Sequence, residues 1–341
     1  MLKPWSWSVP AKVKEGTGDV AQQLADAAAI YEPVVIRDLA QDWPLVRAGR
    51  NDTRAAIAHI QQFDGKVPAK TMMAPPEAQG RFFYSDDMRG FNFAVDDVPF
   101  APIFTQLLQL AQRDIVPSIY AGSNPIDQFL PGFGDANRLP CDIPPSAGRI
   151  WIGNASHVAP HFDVSDNLAV VALGRRRVTL FPPAQTANLY VGPLDITIAG
   201  QPVSMVDIRS PDLQRYPLYA HAMKHAIQVE LGPGDAIYIP TLWWHCIEAL
   251  DPINILVNYW HNAPPNSSPF SALIHAMLAV RDLPDAERGA WQAWFDHFVF
   301  DGGARAAADH LLPHAKGVTG PPTPERGNAV RAFVIRALGA N

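Results

Sequence analysis

Apolar residues in this chain recur first at helical and then at strand spacing, and the change of period marks the architecture. Residues 15–30 and 52–63 carry apolar positions at helical spacing behind Asp19 and Asp52, and each predicts a helix capped by that aspartate. Residues 98–113 open on the same spacing and predict a further helix, and a strand begins at 117–120. Between them, 66–95 is aromatic and Gly-rich, with Phe82, Phe83, Tyr84, Phe91 and Phe93, and reads as strands and loops over one mouth of a barrel. From Ile150 to Trp260 the apolar runs shorten and Pro and Gly punctuate them. Runs at 167–173, 177–181 and 237–248 read as strands, and short punctuated strands of this kind suggest a jelly roll. LGPGD at 231–235 predicts a tight turn with glycine at positive φ. Residues 182–225, rich in Pro, Gly, Asp and Tyr, interrupt the strands as an insert, either a binding element or a packed flap. From 264 onward the period is helical again, over 271–282, 286–298, 304–312 and 324–338. The expected class is therefore mainly β with flanking helices: a catalytic domain over 1–262 and a C-terminal helical region over 263–341.

Within the strand region, His161 and Asp163 form an H-x-D pair, and His245 stands far downstream in another apolar stretch. Two residues apart on a strand, His161 and Asp163 share a face. With His245 across a barrel they would form a two-histidine, one-carboxylate triad that binds a non-haem Fe(II) by one face and leaves the other open. The spacing alone is weak evidence, because H-x-D arises by chance and a histidine beside Trp243 and Trp244 is equally a packed side chain.

Five ordered stretches raise its weight: 31–44 (YEPVVIRDLAQDWP), 151–163 (WIGNASHVAPHFD), 167–183 (NLAVVALGRRRVTLFPP), 231–245 (LGPGDAIYIPTLWWH) and 257–260 (VNYW). Together they resemble the JmjC-type, cupin-fold 2-oxoglutarate oxygenases, in particular the asparaginyl hydroxylase branch that acts on hypoxia-inducible factor and its bacterial cupin-like relatives. The resemblance implies a double-stranded β-helix with Fe(II) on His161, Asp163 and His245. It implies 2-oxoglutarate as cosubstrate, released as succinate and CO2 while a C–H bond is hydroxylated. By position in that family, Arg176 stands where a lysine pairs with the distal carboxylate, and Tyr120 where a tyrosine assists. Arginine is physically acceptable there, since its fork binds carboxylate bidentately. Val158 occupies the place of a threonine that completes the family's cosubstrate site. Asn167 and Asn258 match asparagines near the metal-bound end of the cosubstrate, with a structural hydrogen bond as the alternative role. Trp260 shares the face of Asn258 and is expected to form an apolar wall. Ser156 and His157 precede the first ligand, and His157 is read as a loop residue facing substrate; Trp243 and Trp244 are read as core.

Composition narrows the rest. The net charge of −6 gives no general reason to bind nucleic acid, and Arg175–Arg176–Arg177 is the one tight basic cluster. Two cysteines, Cys141 and Cys246, make no disulfide scaffold or zinc module, which sets aside a chromatin-reading demethylase; both are expected in the core. The start carries no apolar signal region and no stretch is long enough to span a bilayer, so the expected place is the reducing cytoplasm, with no membrane partner. The substrate is open between protein, peptide, RNA and small molecule. Trp291, Trp294, Phe295 and Phe298, with Leu311, Leu312, Phe333 and Leu338, are more large apolar groups than one helical layer needs, and family members dimerise through C-terminal helices. A homodimer is the expectation, with packing of the same residues inside one subunit as the alternative. The reading from another class is a metal-binding cupin module without oxygenase activity.

Overall fold

The computed structural model describes residues 5–198, 200–262 and 268–339. Residues 263–267, where the sequence pattern turns helical, lie outside the described residues. Two compact units divide the chain, Met1–Asn262 and Ala263–Asn341.

Among the described residues the first unit holds fifteen strands. In chain order these are β1 (Ala11–Lys12), β2 (Lys14–Glu15), β3 (Val34–Ile36), β4 (Ala69–Ala74), β5 (Arg81–Phe82), β6 (Ala94–Val98), β7 (Ser118–Pro125) and β8 (Gly148–Gly153). There follow β9 (His157–Val158), β10 (Asp166–Leu173), β11 (Arg176–Phe181), β12 (Ile227–Leu231), β13 (Ala236–Ile239), β14 (Trp244–Ala249) and β15 (Asn254–His261). A nine-stranded sheet runs β2-β3-β13-β10-β15-β8-β7-β4-β6, and a four-stranded sheet runs β1-β12-β11-β14. This is a cupin-type jelly roll: Ala169, Val171, Leu256, Ile237 and Ile239 of the large sheet share one apolar cluster with Val178, Leu180, Val229 and Leu231 of the small sheet.

The outer face of the large sheet is equally apolar. Leu168, Val170, Ala172, Val257 and Tyr259 alternate with the inward residues and pack on Leu45, Val46, Ile57, Ile60, Phe100, Phe104 and Leu107 from the flanking helices. Every residue of β10 is consequently buried, which explains why its sequence is a continuous apolar run rather than an alternation.

Asp19 and Asp52 cap helices Val20–Ile30 and Thr53–Gln61 by accepting from the backbone N–H of Gln22 and Arg54. Helix Phe100–Leu110 lies within the predicted span. The helix Pro44–Asn51 has no counterpart in the sequence reading; it buries only Leu45 and Val46, too few to leave a periodic signal, and starts on the preset φ of Pro44. The run 237–248 is not one strand. It breaks into β13 and β14 at a turn whose Leu242 has φ 63°, a conformation that apolar pattern alone does not reveal. In LGPGD, Gly234 has the expected positive φ of 100°.

The second unit holds helices Pro269–Ala279, Asp285–Phe295 and Pro324–Gly339. Residues 304–312 do not form the expected helix. Only Ala304–Ala306 make a 3-10 turn, because Gly302 and Gly303 lead into the segment without a capping side chain and Pro313 follows it.

One glycine is required between β10 and β11, where the chain turns to present Arg176. Gly174 has φ +73°, and a Cβ there would stand 2.4 Å from Asn254 Oδ1 and 2.8 Å from the Ile253 carbonyl oxygen. Gly174→Ala is expected to cost about 3 kcal/mol. Urea unfolding should show this as a lower midpoint at unchanged slope.

Candidate active site

His161 and His245 are joined first through their backbones. His161 N–H donates to the His245 carbonyl at 3.0 Å, and His245 N–H returns the bond at 2.7 Å. This isolated antiparallel bridge corrects the sequence reading, which set His161 and Asp163 on a regular strand: only His245 lies on one, and the chain leaves the ladder after His161. The departure is useful. Phe162 turns its ring edge-on to Trp244, at 5.0 Å. Asp163 is then held from behind by Leu242 N–H and the Thr241 hydroxyl, both donating to its carbonyl.

The two imidazole rings lie 4.6 Å apart. Each Nδ1 is 3.0 Å from a carbonyl oxygen, of Ala159 for His161 and of Trp243 for His245. A carbonyl only accepts, so Nδ1 carries the proton on both rings and each Nε2 presents a lone pair. His245 Nε2 is 3.7 Å from Asp163 Oδ2. Burial, with His245 beside it, pushes His161 well below the usual imidazole range and keeps it neutral. Among the described residues, no three His, Cys, Asp or Glu side chains stand close enough together to hold a metal ion. The donor chemistry nevertheless fits a divalent metal: two lone-pair nitrogens and one carboxylate line one pocket.

Asp163 Oδ2 is engaged by two neutral donors, Trp260 Nε1 and Asn167 Nδ2, each at 2.9 Å. Asn258 Nδ2 donates to Asn167 Oδ1 at 3.1 Å, and Trp151 Nε1 donates to Asn258 Oδ1 at 2.6 Å. An indole only donates and a carboxylate only accepts, so both amides in between have a single possible orientation. The asparagines thus meet the requirement of a buried amide by orienting Asp163. Trp260, expected as an apolar wall, is a polar contact as well.

Arg176 is 4% exposed and lines the same pocket. Its Nε is buried with no hydrogen-bond partner. Burial lowers its guanidinium to about 10, which leaves it charged at neutral pH. Tyr120 lines the pocket too, its phenol raised by burial against the pull of Arg176, so it is a hydroxyl donor. Arg175 and Arg177 point away, to Asp251 at 2.8 Å and Glu230 at 2.5 Å. Val158 offers no hydroxyl and packs with Phe82 and Tyr84. Trp243 and Trp244 are buried core residues, and Cys246, on the face opposite His245, donates its thiol to the Val158 carbonyl at 3.2 Å. Cys141 is partly buried against the main core.

Residues 20–267, well over half of the chain, match the family described as "Cupin-like domain". The chain belongs to the cupin-like domain family. It is 38% identical over 114 residues to HSPB1-associated protein 1 of Homo sapiens, covering 33% of this chain and 22% of that protein. It is 33% identical over 135 residues to lysine-specific demethylase JMJ31 of Arabidopsis thaliana, covering 39% and 23%. It is 37% identical over 108 residues to tRNA wybutosine-synthesizing protein 5 of Danio rerio, covering 31% and 30%. The matched segments thus span less than a third of these relatives' length.

In this cupin-like chain the insert is a fixed brace. Ser204 N–H donates to the Pro160 carbonyl at 2.7 Å, one residue before His161, and Tyr84 OH donates to the Ile196 carbonyl at 2.6 Å. Arg209 reaches Glu248 on β14 at 2.6 Å, with the two side chains 5% and 0% exposed. Sequence reading missed this pair, because nothing in the insert's composition singles out Arg209. His157, expected in a substrate-facing loop, lines the pocket but does so buried on β9; burial lowers its imidazole to about 3, with Arg209 and Arg81 acting in the same direction. Burial likewise raises Glu248, and Arg209 opposes the rise.

Arg209→Met removes that opposition and leaves a buried carboxylate, at a cost of about 3–5 kcal/mol near neutral pH. The folded state then binds the Glu248 proton more tightly than the unfolded chain does, so stability falls as pH rises between the two pKa values. The deficit should be full above the folded value and vanish below the ordinary carboxylate range. Urea titrations from pH 4 to 8 check this, and Arg209→Met with Glu248→Gln should recover most of the loss.

Proposed function

We propose that this protein is an Fe(II)- and 2-oxoglutarate-dependent oxygenase that hydroxylates a C–H bond of its substrate. The observation that carries the reading is Arg176: a buried cation with an unpartnered Nε, in the same pocket as two lone-pair imidazoles and an oriented carboxylate. A buried charge without a counter-charge is costly, and a dicarboxylate ligated at one end and paired with Arg176 at the other would relieve that cost.

His161 Nε2, His245 Nε2 and the Asp163 carboxylate would hold the metal. Bound iron and 2-oxoglutarate would supply O2 activation and C–H oxidation, with succinate and CO2 released. The chain's own contribution is binding and orientation. Arg176 receives the distal carboxylate with the Tyr120 hydroxyl beside it, and Leu256 and Ile247 provide apolar walls that exclude water. Val158 favours a second reading, a metal-binding cupin module without oxygenase activity, since the hydroxyl of the family's cosubstrate site is missing.

Succinate release from 2-oxoglutarate with iron and ascorbate separates the two. Under the oxygenase reading the wild type turns over and Asp163→Ala abolishes turnover with unchanged circular dichroism. Arg176→Met should raise the 2-oxoglutarate requirement by roughly a hundredfold or more, corresponding to about 3–5 kcal/mol. Full turnover by Asp163→Ala, or unchanged affinity in Arg176→Met, refutes the assignment.

We also propose that the helical unit mediates a homodimer. Trp291, Trp294, Phe298, Phe300, Phe333 and Ile335 are 40–73% exposed, an extensive apolar surface for a monomer. Light scattering of the full chain at micromolar concentration should give about twice 37.3 kDa; a monomer would refute the dimer alone.

A further inference from the structure

A second arginine, on the large sheet, stands beside Trp260, which lines the pocket. Arg149 lies on β8 two residues before Trp151, so the two side chains share the inward face, and Trp151 lines the pocket. Its guanidinium carbon stands 5.2 Å from the ring centroid of Trp260, the same indole that caps Asp163. One nitrogen, Nη1, is fixed by the Ser123 carbonyl at 2.9 Å and the Ser123 hydroxyl at 3.2 Å. Ser123 adopts φ 58° in the irregular stretch of β7 where the register with β8 shifts, so the backbone is bent at the point where it receives Arg149. Among the described residues Arg149 has no carboxylate partner, and Nε and Nη2 make no hydrogen bond. By contrast, Arg175, Arg177 and Arg209 are each matched with an acidic side chain.

The position separates Arg149 from the cosubstrate end. Tyr120, beside Arg176, pairs in register with Gly153, whereas Arg149 is four residues away along β8 and pairs with Asn258. At about 3.3 Å per residue that is roughly 13 Å of strand. A single dicarboxylate already spanning metal and Arg176 does not need a second cation on the Trp260 side of the metal ligands. A half-buried guanidinium held by neutral groups, with two donors unused, is arranged for an incoming anion.

We infer that Arg149 recognises the substrate, and that the substrate carries a carboxylate or phosphate group placed over Trp260. The inference rests on the oxygenase reading, in which Arg176 is engaged by 2-oxoglutarate. It narrows the open substrate class to acid-bearing molecules or residues, and it divides the two arginines between cosubstrate and substrate.

The test uses the full chain loaded with Zn(II) and saturated with 2-oxoglutarate, so that Arg176 and the metal are already engaged when the probe is added. Acetate and methyl phosphate are titrated separately at constant ionic strength and followed by ligand-observed NMR. At least one should bind saturably to the wild type, and its affinity should fall about tenfold or more in Arg149→Met, the loss of one charge-assisted contact. The preferred probe tells carboxylate from phosphate. The affinity for 2-oxoglutarate, measured on the same variant, should stay within about twofold. Should Arg149→Met fail to fold, Arg149→Gln keeps a donor for the Ser123 carbonyl and serves in its place. No anion binding by the wild type, or equal binding by the variant, overturns the inference. A Zn(II)-loaded wild type that does not bind 2-oxoglutarate at all overturns the oxygenase reading instead.

Discussion

The reciprocal backbone pair between His161 and His245 is the constraint on which the site depends. It holds two residues far apart in sequence directly opposite each other, at the spacing of a hydrogen-bonded antiparallel pair. Side-chain contacts then add direction rather than proximity. The Ala159 and Trp243 carbonyls rotate the imidazoles so that both Nε2 atoms face the pocket. Everything that supports the pair does so from behind: Ser204 holds Pro160, the 240–243 turn holds Asp163, and Tyr31 accepts from Trp243 Nε1 at 3.0 Å.

Placing polar chemistry inside a jelly roll requires each polar group to be matched. β10 and β15 are buried strands whose inward residues change from Ala169, Val171 and Leu256 to Asn167, Asn258 and Trp260 toward one end. The apolar part joins the two sheets, and the polar part forms a connected chain ending on Asp163. The same strand pair therefore serves as core and as positioning device. The small sheet repeats the division: Arg176, Val178 and Leu180 face in, while Arg177 and Thr179 meet Glu230 and Gln228 on the opposite face.

Much of this arrangement was legible in the chain. Asp19 and Asp52 declared helix starts, the Pro- and Gly-punctuated runs declared a jelly roll, and H-x-D with a distant histidine picked out three residues that the structure brings to one pocket. Arg176 could be chosen from three adjacent arginines only by family position, because strand parity leaves both faces open until one is known to be buried. What escaped notice depended on tertiary direction. The indole N–H of Trp260 looks apolar in sequence, the Leu242 turn is invisible in an apolar run, and the Arg209–Glu248 pair joins an irregular insert to a strand. None of these leaves a periodic trace, since each is set by a single contact.

The one-way hydrogen-bond chain from Trp151 through Asn258 and Asn167 to Asp163 has an electrical consequence. A proton wire needs links that can both receive and release, and this chain begins at an indole nitrogen that does not give up its hydrogen near neutral pH. Neither amide can invert without breaking the bonds on both sides. The carboxylate is thus supplied with fixed dipoles and insulated from proton exchange along that route.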